Sequence, residues 1–374
     1  MSARPLGLES GYNSCVWPAL TRADVATLLP HWGMHPANDP ILWHSQRPFS
    51  ASAIIALQDG QHIFLKRHGR ALRSARTVTE EHRFAQHLAA QGLAVCAPLP
   101  MEDGTTAKAE GHYVYEAFPL FTEHDAYRGL ESWRPYKSTP QADSSGRLLA
   151  QLHHASAGYD APPRHNPPLT SIRHPLLGPS LDDTLLPWAA QQKGLTSLYS
   201  LEDVRSDVLP LLEPFHQTLR PLLPHDRPLW GHGDWHGANL LWQNEGQDLT
   251  AVRIFDFGMC DQTSAAFDLA VAIERSFISW LAPDGSPTVH EEQLRAFLHA
   301  YDAQRPRSLV ERHLTARWLP LCHVTFALSE TAYYGHTLHN QAAAEISWRD
   351  YLIGHAEWFH SPTGRTLLNM LEAC

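Results

Sequence analysis

A chain of 374 residues, 43% of them hydrophobic, exceeds the size that one hydrophobic core usually serves, so we expect two lobes or domains. Its 29 basic and 39 acidic residues give a net charge of −10, which argues against a nucleic-acid or anionic-membrane partner. No run of about 18 apolar residues and no apolar signal core is found, so neither a membrane span nor secretion is predicted.

The five cysteines are odd in number, far apart and never arranged as C-x-x-C, which favours a reducing, cytoplasmic location. We expect them to be buried apolar or incidental residues. They are Cys15, Cys96, Cys260, Cys322 and Cys374.

The first third of the chain consists of short β-rich segments interrupted by one helix. A helix is also predicted before them, at 21–30. The main helix is predicted over 76–91, because its apolar residues recur at helical spacing and Gly92 follows as a stop signal. The predicted strands, separated in part by Asp-Gly turns, are 41–44, 52–58, 62–66 and 112–118.

After Pro119 the apolar spacing becomes mainly helical. We therefore predict an α+β protein with an N-terminal part, 1–118, built on a sheet and one helix, and a larger, mainly helical part, 119–374. The proline-rich stretch 160–187 predicts an ordered loop or two short helices. The predicted helices of the second part are 146–156, 204–223, 291–304, 310–334 and 342–360.

A β-hairpin is predicted inside the helical part, with strands 239–243 and 251–257 and a turn near 244–249. Asn239 and Asp256 would then face each other at its open end, with Cβ atoms about 5 Å apart. Mg²⁺ prefers hard oxygen ligands and keeps positions for water and phosphate, so this pair suits it. Asp234, in the loop that leads to the same end, would remain free to act as a base.

These residues resemble the aminoglycoside phosphotransferase and choline kinase family, which has a bilobal protein-kinase-like fold. The pattern H-G-D-x-x-x-x-N is matched from His232 to Asn239, and Asp256-Phe257-Gly258 follows one hairpin later. The resemblance covers residues from about 40 to 335. It implies ATP and Mg²⁺ as cofactors, Asp234 as the group that orients or deprotonates an acceptor hydroxyl, and Asn239 and Asp256 as metal ligands.

The resemblance also implies roles for residues upstream and downstream of the hairpin. Lys66 would contact the nucleotide phosphates, and Glu81, or its neighbour Glu80, would hold it. The segment that contains Glu116 and Phe118 resembles the hinge whose backbone binds adenine. Further along, Asp268 resembles the buried aspartate that braces the catalytic loop.

Departures from protein kinases favour a small-molecule acceptor. A G-x-G-x-x-G loop is missing, and serines within 45–52 would cover the phosphates instead. Only nine residues separate Gly258 from Asp268, which leaves no room for a peptide-binding activation segment. The acceptor site would come from parts of 160–187 and 270–340. Candidates for an anionic or cation–π pocket that binds an amine are Glu274, Glu330, Trp280, Trp318, Tyr333 and Tyr334.

Three alternatives remain open at this stage. Segments 80–88 and 232–242 resemble a bacterial stress-response kinase that acts on protein Ser/Thr, which keeps a protein substrate possible. The alternation of His232, Asp234 and His236 also suits zinc, and hence a hydrolase. A nucleotide-binding scaffold without activity is the third. In the kinase interpretation His232 bonds to the loop backbone, and His236 faces the acceptor or solvent.

Overall fold

The computed structural model describes residues 17–45, 50–130, 132–164, 169–246, 248–282 and 285–373. Cys15, Cys374 and residues 46–49 lie outside these ranges, whereas the three serines of the loop 45–52, Ser45, Ser50 and Ser52, are described and line the cleft. The architecture is the predicted one, an antiparallel sheet with one flanking helix followed by a larger helical part.

The N-terminal sheet has five antiparallel strands in the order β1-β2-β3-β5-β4. Ala53, Ile55 and Leu65 are fully buried in its centre, because alternate side chains of the central strands point to one face. The strands are β1 (Pro36–His44), β2 (Ala51–Leu57), β3 (His62–Gly69), β4 (Lys108–Glu110) and β5 (Tyr113–Pro119).

Two helices belong to this part, α1 (Arg22–Leu28) and α2 (Ala75–Ala90). Helix α1, predicted at 21–30, packs against the core of the sheet. Ser74 caps α2, since its side chain accepts a hydrogen bond from Thr77 N at 3.2 Å. Phe84 and Leu88 on its buried face join the hydrophobic core of the C-terminal part, so α2 connects the two lobes.

The C-terminal part contains eleven helices among its described residues. Helix α8 has the predicted bounds, but the predicted helix 310–334 is broken, because Pro320 has no N–H to continue it. The helices are α3 (Thr139–Ala155), α4 (Leu181–Gln191), α5 (Leu201–Asp203), α6 (Leu209–Leu219), α7 (Ala265–Ser276), α8 (Glu291–Gln304), α9 (Leu309–Trp318), α10 (Val324–Ala332), α11 (Gln341–Ile346), α12 (Gly354–Phe359) and α13 (Pro362–Ala373).

Two short antiparallel pairs lie between α6 and α7. Strands β7 (Leu240–Glu245) and β8 (Asp248–Ile254) form the predicted hairpin, and β6 (Pro228–Gly231) pairs with β9 (Asp261–Ser264). The β6–β9 pair was not predicted, because strands of four residues are too short to show an alternating pattern. The two pairs enclose the loop 232–239 and the segment 255–260, which carry the predicted site.

Cys96, Cys260 and Cys322 are free and buried, as expected. Within the described ranges, none of the helices has the length and apolar character that crossing a membrane requires.

Candidate active site

The loop after β6 is fixed by a buried aspartate of α7. Asp268, fully buried, accepts hydrogen bonds from the backbone N–H groups of His232 at 2.9 Å and Gly233 at 2.8 Å. His153 Nε2 lies 3.0 Å from the same carboxylate. Burial alone would raise the pKa of Asp268. The hydrogen bonds and charge of His153 and the backbone donors have the larger opposite effect, so the pKa of Asp268 lies below its usual value. The predicted brace is confirmed.

Asp234 lies at the tip of this loop. Asn239 Nδ2 donates to its backbone oxygen at 2.8 Å and to Oδ2 at 3.1 Å. His236 Nε2 lies 3.3 Å from Oδ2, and Arg275 Nη2 lies 3.5 Å from Oδ1. Burial alone would raise the pKa of Asp234, but the charges of His236 and Arg275 outweigh it and hold the pKa well below the usual range. The carboxylate is therefore ionised and oriented.

The two loop histidines serve the backbone, as predicted for His232. His232 Nε2 lies 3.1 Å from Phe255 O, and its Nδ1 accepts from Asp234 N at 3.3 Å. His236 is buried, and its Nδ1 accepts from Ala238 N at 3.2 Å. It lines the cleft beside Asp234, so of the two positions expected for it the solvent-facing one is excluded. Because both nitrogens of His232 are occupied, the described loop does not provide the zinc site of the hydrolase alternative.

Asp256 meets Lys66 across the cleft. Lys66 Nζ lies 3.2 Å from Asp256 Oδ1, although the residues are 190 positions apart in the chain. Burial would raise the pKa of Asp256, but Lys66 lowers it below the usual value. Asp256 also has a left-handed backbone, with φ at 56°, a conformation that costs free energy in most residues and is concentrated at functional sites.

Asn239 lies beside Asp256 but one residue out of the predicted register. Strand pairing joins Leu240 to Ile254, and Phe255 N donates to Asn239 O at 3.1 Å, so Asn239 faces Phe255. The irregularity between Leu241 and Trp242 brings the strand ends closer to the predicted register, since the pairing next to the turn, Glu245 with Asp248, would otherwise place Asn239 opposite Ile254. Asn239 uses its amide N–H for Asp234, which leaves its side-chain oxygen, with the Asp256 carboxylate, as a hard donor set of the kind that Mg²⁺ prefers.

The predicted pair of Lys66 with Glu81 is wrong. Glu81 is buried on α2, as expected, but its carboxylate pairs with Arg73 and lies 2.9 Å from Arg164 Nη2. Among the described residues, the acidic groups within ion-pair distance of Lys66 are Asp256 and Glu116, the latter at 4.0 Å. Two arginines close to Glu81 compete for it, and sequence spacing from Lys66 gave no sign of them.

The hinge prediction for Glu116 is also wrong. Glu116 pairs in register with Lys66 within the sheet, and its side chain is 1% exposed. His68 Nε2 and His82 Nε2 lie 2.7 and 2.5 Å from its two oxygens. Burial would raise the pKa of Glu116, but the two histidines hold it well below the usual value. β5 continues to Pro119, so the connection between the lobes begins there, and Phe118 lines the cleft as a side chain.

The expected acceptor pocket is only partly formed. Glu330, Tyr333 and Tyr334 line the cleft. Of the other candidates, Glu274 is buried against His355 Nδ1 at 2.8 Å, and Trp318 donates to Asp226 in the core. Trp280 stacks on His355 with a ring separation of 3.5 Å. These three residues shape the helical core rather than the cleft.

Arg275 is a cleft residue that the sequence interpretation missed. Its guanidinium lies on the rings of Trp133 and Phe326, with distances of 4.5 and 4.4 Å to the ring centroids. Neither ring belongs to the aromatic set predicted to bind an external amine, and this aromatic site holds a cation of the chain itself. A signal was available, since Arg275 follows Asp268 by two helical turns and so lies on the same face of α7.

These groups surround one cavity of about 480 Å³ between the sheet and the helical part. Residues that line it include Lys66, Arg73, Phe118, Asn239, Asp256 and Arg275. A lysine, an asparagine and two aspartates meet at this interlobe cleft, a set of groups of the kind that kinase-type phosphoryl transfer uses.

The chain belongs to the phosphotransferase enzyme family, whose sequence model matches residues 47–309. A homoserine kinase of Ralstonia nicotianae is 26% identical over 243 residues, which are 59% of this chain and 58% of the relative. The chain spans 58–61% of the length of the curated relatives it matches.

Solved structures show the same fold. A microcompartment-associated aminopropanol kinase superposes with a TM-score of 0.61 at 14% identity, covering 92% of this chain and 99% of the other. An amicoumacin kinase in complex with AMP-PNP, Ca²⁺ and Ami gives a TM-score of 0.59 at 12% identity, covering 89% of this chain and 93% of the other. At such identities the likeness establishes the fold alone.

Proposed function

We propose that the protein transfers the γ-phosphate of ATP to a hydroxyl group of a small polar metabolite. The observation that carries this proposal is the approach of Lys66 to Asp256 across the cleft, beside Asn239 and Asp234. Positioning and charge neutralisation provide most of the catalysis in phosphoryl transfer, so few groups are needed.

In the proposed reaction the acceptor hydroxyl donates its hydrogen bond to Asp234 Oδ1. Within the described chain this buried oxygen accepts no hydrogen bond, whereas Oδ2 is held by Asn239 and His236. As the acceptor oxygen bonds to phosphorus, its proton passes to Asp234, the bond to the β-phosphate oxygen breaks, and ADP leaves. The low pKa of Asp234 makes orientation of the hydroxyl its main task and favours late proton transfer.

The side-chain oxygens of Asn239 and Asp256 would hold Mg²⁺, which would neutralise charge on the phosphates when bound. Lys66 would move from Asp256 to the α- and β-phosphates when nucleotide and metal enter. Phe118 lines the side of the cleft where the adenine would lie.

The acceptor we propose is a small hydroxyl compound that carries an amine. Arg275 is the cation at the acceptor end, and the two cleft carboxylates Asp234 and Glu330 act on it, with the buried Glu274 behind them. Two nearby histidines do not offset this excess of negative charge, because burial lowers the pKa of His323 to about 4 and that of His355 well below its usual value. The acceptor specificities of the kinases similar to this chain agree with this class, since homoserine and aminopropanol each carry an amine.

The small size of the acceptor rests on the segment after Asp256. Strand β9 begins at Asp261 and α7 at Ala265, so the described chain has no extended platform for a peptide beside the cleft.

The test is ADP formation by the purified protein with ATP and Mg²⁺ across a panel of amino alcohols, homoserine, aminoglycosides and a generic protein. We expect turnover with an amine-bearing small alcohol and none in the Asp234→Asn variant. Labelling of protein alone would replace the small-molecule proposal. If the wild type binds nucleotide but neither it nor the variant forms ADP with any acceptor, the protein is a nucleotide-binding scaffold without activity.

A further inference from the structure

A second cation, Arg73, lies near Lys66 on the nucleotide side of the cleft. It belongs to the segment between β3 and α2, and its side chain is 12% exposed and lines the cavity. No motif of the sequence pointed to this residue.

The guanidinium of Arg73 faces the segment that follows Asp256. A Cβ atom built on Gly258 would lie 3.0 Å from Asp256 Oδ1 and 3.7 Å from Arg73 Nη1, so the two side chains flank the same point. Gly258 leaves this space open. Burial raises the pKa of Asp256, and Lys66 and then Arg73 lower it, which is consistent with a cation near the predicted metal ligand.

Arg73 is held in place by Glu81. Its Nη2 pairs with Glu81 Oε2, the oxygen that also accepts from Arg164 Nη2 at 2.9 Å. Arg164 in turn donates from Nη1 to Gly258 O at 2.8 Å. Glu81 is thus clamped between two arginines, and one of them ties α2 to the segment after Asp256.

This arrangement leaves donors of Arg73 directed at the cleft. Within the described part of the chain, the ion pair of Arg73 is the one with Glu81, made through Nη2. A guanidinium carries five N–H donors in a planar fork that suits phosphate oxygens, so Nη1 remains able to bind a ligand while Nη2 is anchored.

We propose that Arg73 binds the terminal phosphate of the nucleotide, and that Glu81 acts on the reaction by positioning Arg73 instead of Lys66. The inference rests on the proposed function. Lys66, anchored by Glu116, serves the inner phosphates, and Arg73 neutralises charge that develops on the transferred group. The acidic residue of α2 thereby keeps an indirect role in phosphate binding.

The test compares the affinity of a non-hydrolysable ATP analogue with that of ADP, both with Mg²⁺, by calorimetry. In Arg73→Met we expect the analogue to bind at least about tenfold more weakly, with a change of under about threefold for ADP, because ADP lacks the phosphate concerned. Arg73→Lys keeps the charge and should recover part of the loss. Glu81→Gln should also weaken binding of the analogue relative to ADP, but by a smaller factor than Arg73→Met.

The matched control is Arg76→Met, one turn further on, where the side chain is 76% exposed and pairs with Glu80. It should leave both affinities unchanged. Thermal unfolding of each variant identifies misfolding. If Arg73→Met misfolds, Arg73→Lys provides the test: a change in the ratio of its affinities for the analogue and for ADP supports the proposal, and an unchanged ratio overturns it.

Two failures are distinguishable. Suppose that the wild type binds the analogue and turns over ATP. If Arg73→Met then weakens the binding of the analogue and of ADP equally, or the binding of neither, the role of Arg73 is refuted and the proposed function stands. If the wild type binds no nucleotide, the proposed function fails and this inference with it.

Discussion

The two walls of the cleft are built by different kinds of contact. On the C-terminal wall, side chains bind backbone: Asp268 holds two N–H groups of the catalytic loop, and Asn239 and His232 bond to the main chain. On the N-terminal wall, side chains bind side chains, since Glu116 and Glu81 are surrounded by lysine, histidine and arginine from several elements.

The difference has consequences for how each wall tolerates change. A loop fixed through its backbone keeps its geometry as long as the anchoring carboxylate remains. A wall fixed by ion pairs can exchange partners, because a cation there can have more than one carboxylate within reach, as Lys66 has with Asp256 and Glu116. Mutations should therefore act on chemistry or folding at the first wall and on ligand affinity at the second.

The largest effect is expected at the catalytic loop. Asp234→Asn should lower kcat by about 10²–10⁴-fold, because the amide cannot accept the hydroxyl proton. Steady-state kinetics with the acceptor found in the panel measures it, and nucleotide affinity should persist. Asp143→Asn is the control, since this half-buried residue of α3 pairs with Arg147 away from the catalytic loop. A kcat within threefold of wild type in Asp234→Asn would contradict the assignment.

The next effect separates the brace from the chemistry. Asp268→Asn should cost about 3 kcal/mol of unfolding free energy, because a fully buried ion that accepts two backbone hydrogen bonds is replaced by an amide. Urea unfolding measures the loss. Stability within about 0.5 kcal/mol of wild type would show that the loop does not depend on this residue.

On the opposite wall, Glu116→Gln should act on affinity. Lys66 loses a neighbouring carboxylate 4.0 Å away, so we expect ATP and ADP to bind several-fold more weakly and by similar factors. This pattern differs from that of Arg73→Met, which affects the terminal phosphate. Calorimetry with both nucleotides checks it, and selective loss of ATP alone would mean that Lys66 and Arg73 do not divide the phosphates as proposed.

The smallest effect is a pH dependence of the unfolding free energy, which we expect from His323, a buried residue behind the acceptor end. Burial lowers the pKa of His323 to about 4, below the value of about 6.5 in an unfolded chain. Its contribution to stability is therefore complete above pH 6.5 and is lost as the pH falls from 6.5 toward 4, by up to about 1.4 kcal/mol per pH unit.

The variant His323→Gln, which can still donate to Leu352 O, should show a shallower decline of unfolding free energy between pH 7 and pH 5. Urea unfolding at several pH values gives the slope. Parallel curves for the variant and the wild type would refute the contribution of this histidine.

The sequence predicted the first wall well because its geometry is local. Asp234 and Asn239 are five residues apart, and the hairpin brings Asp256 to them, so spacing alone places the three groups within a residue of their observed register. The bulge between Leu241 and Trp242 was not predictable, since neither residue carries a bulge signal.

The second wall could not be predicted in the same way. Spacing placed Glu81 on the buried face of α2, but the choice between Lys66 and two arginines depends on tertiary distances. Arg164 lies 83 positions away from Glu81, in a proline-rich stretch with no regular pattern. Likewise, Glu116 was assigned to the hinge because the end of β5 could not be fixed to within three residues.

The most direct measurement is calorimetric titration of the purified protein with a non-hydrolysable ATP analogue, with and without Mg²⁺, in wild type and in Asp256→Ala. We predict that Mg²⁺ strengthens binding in the wild type and has little effect in the variant. Absence of binding at millimolar nucleotide, or equal Mg²⁺ dependence in both proteins, would contradict a nucleotide–metal site formed by Lys66, Asn239 and Asp256.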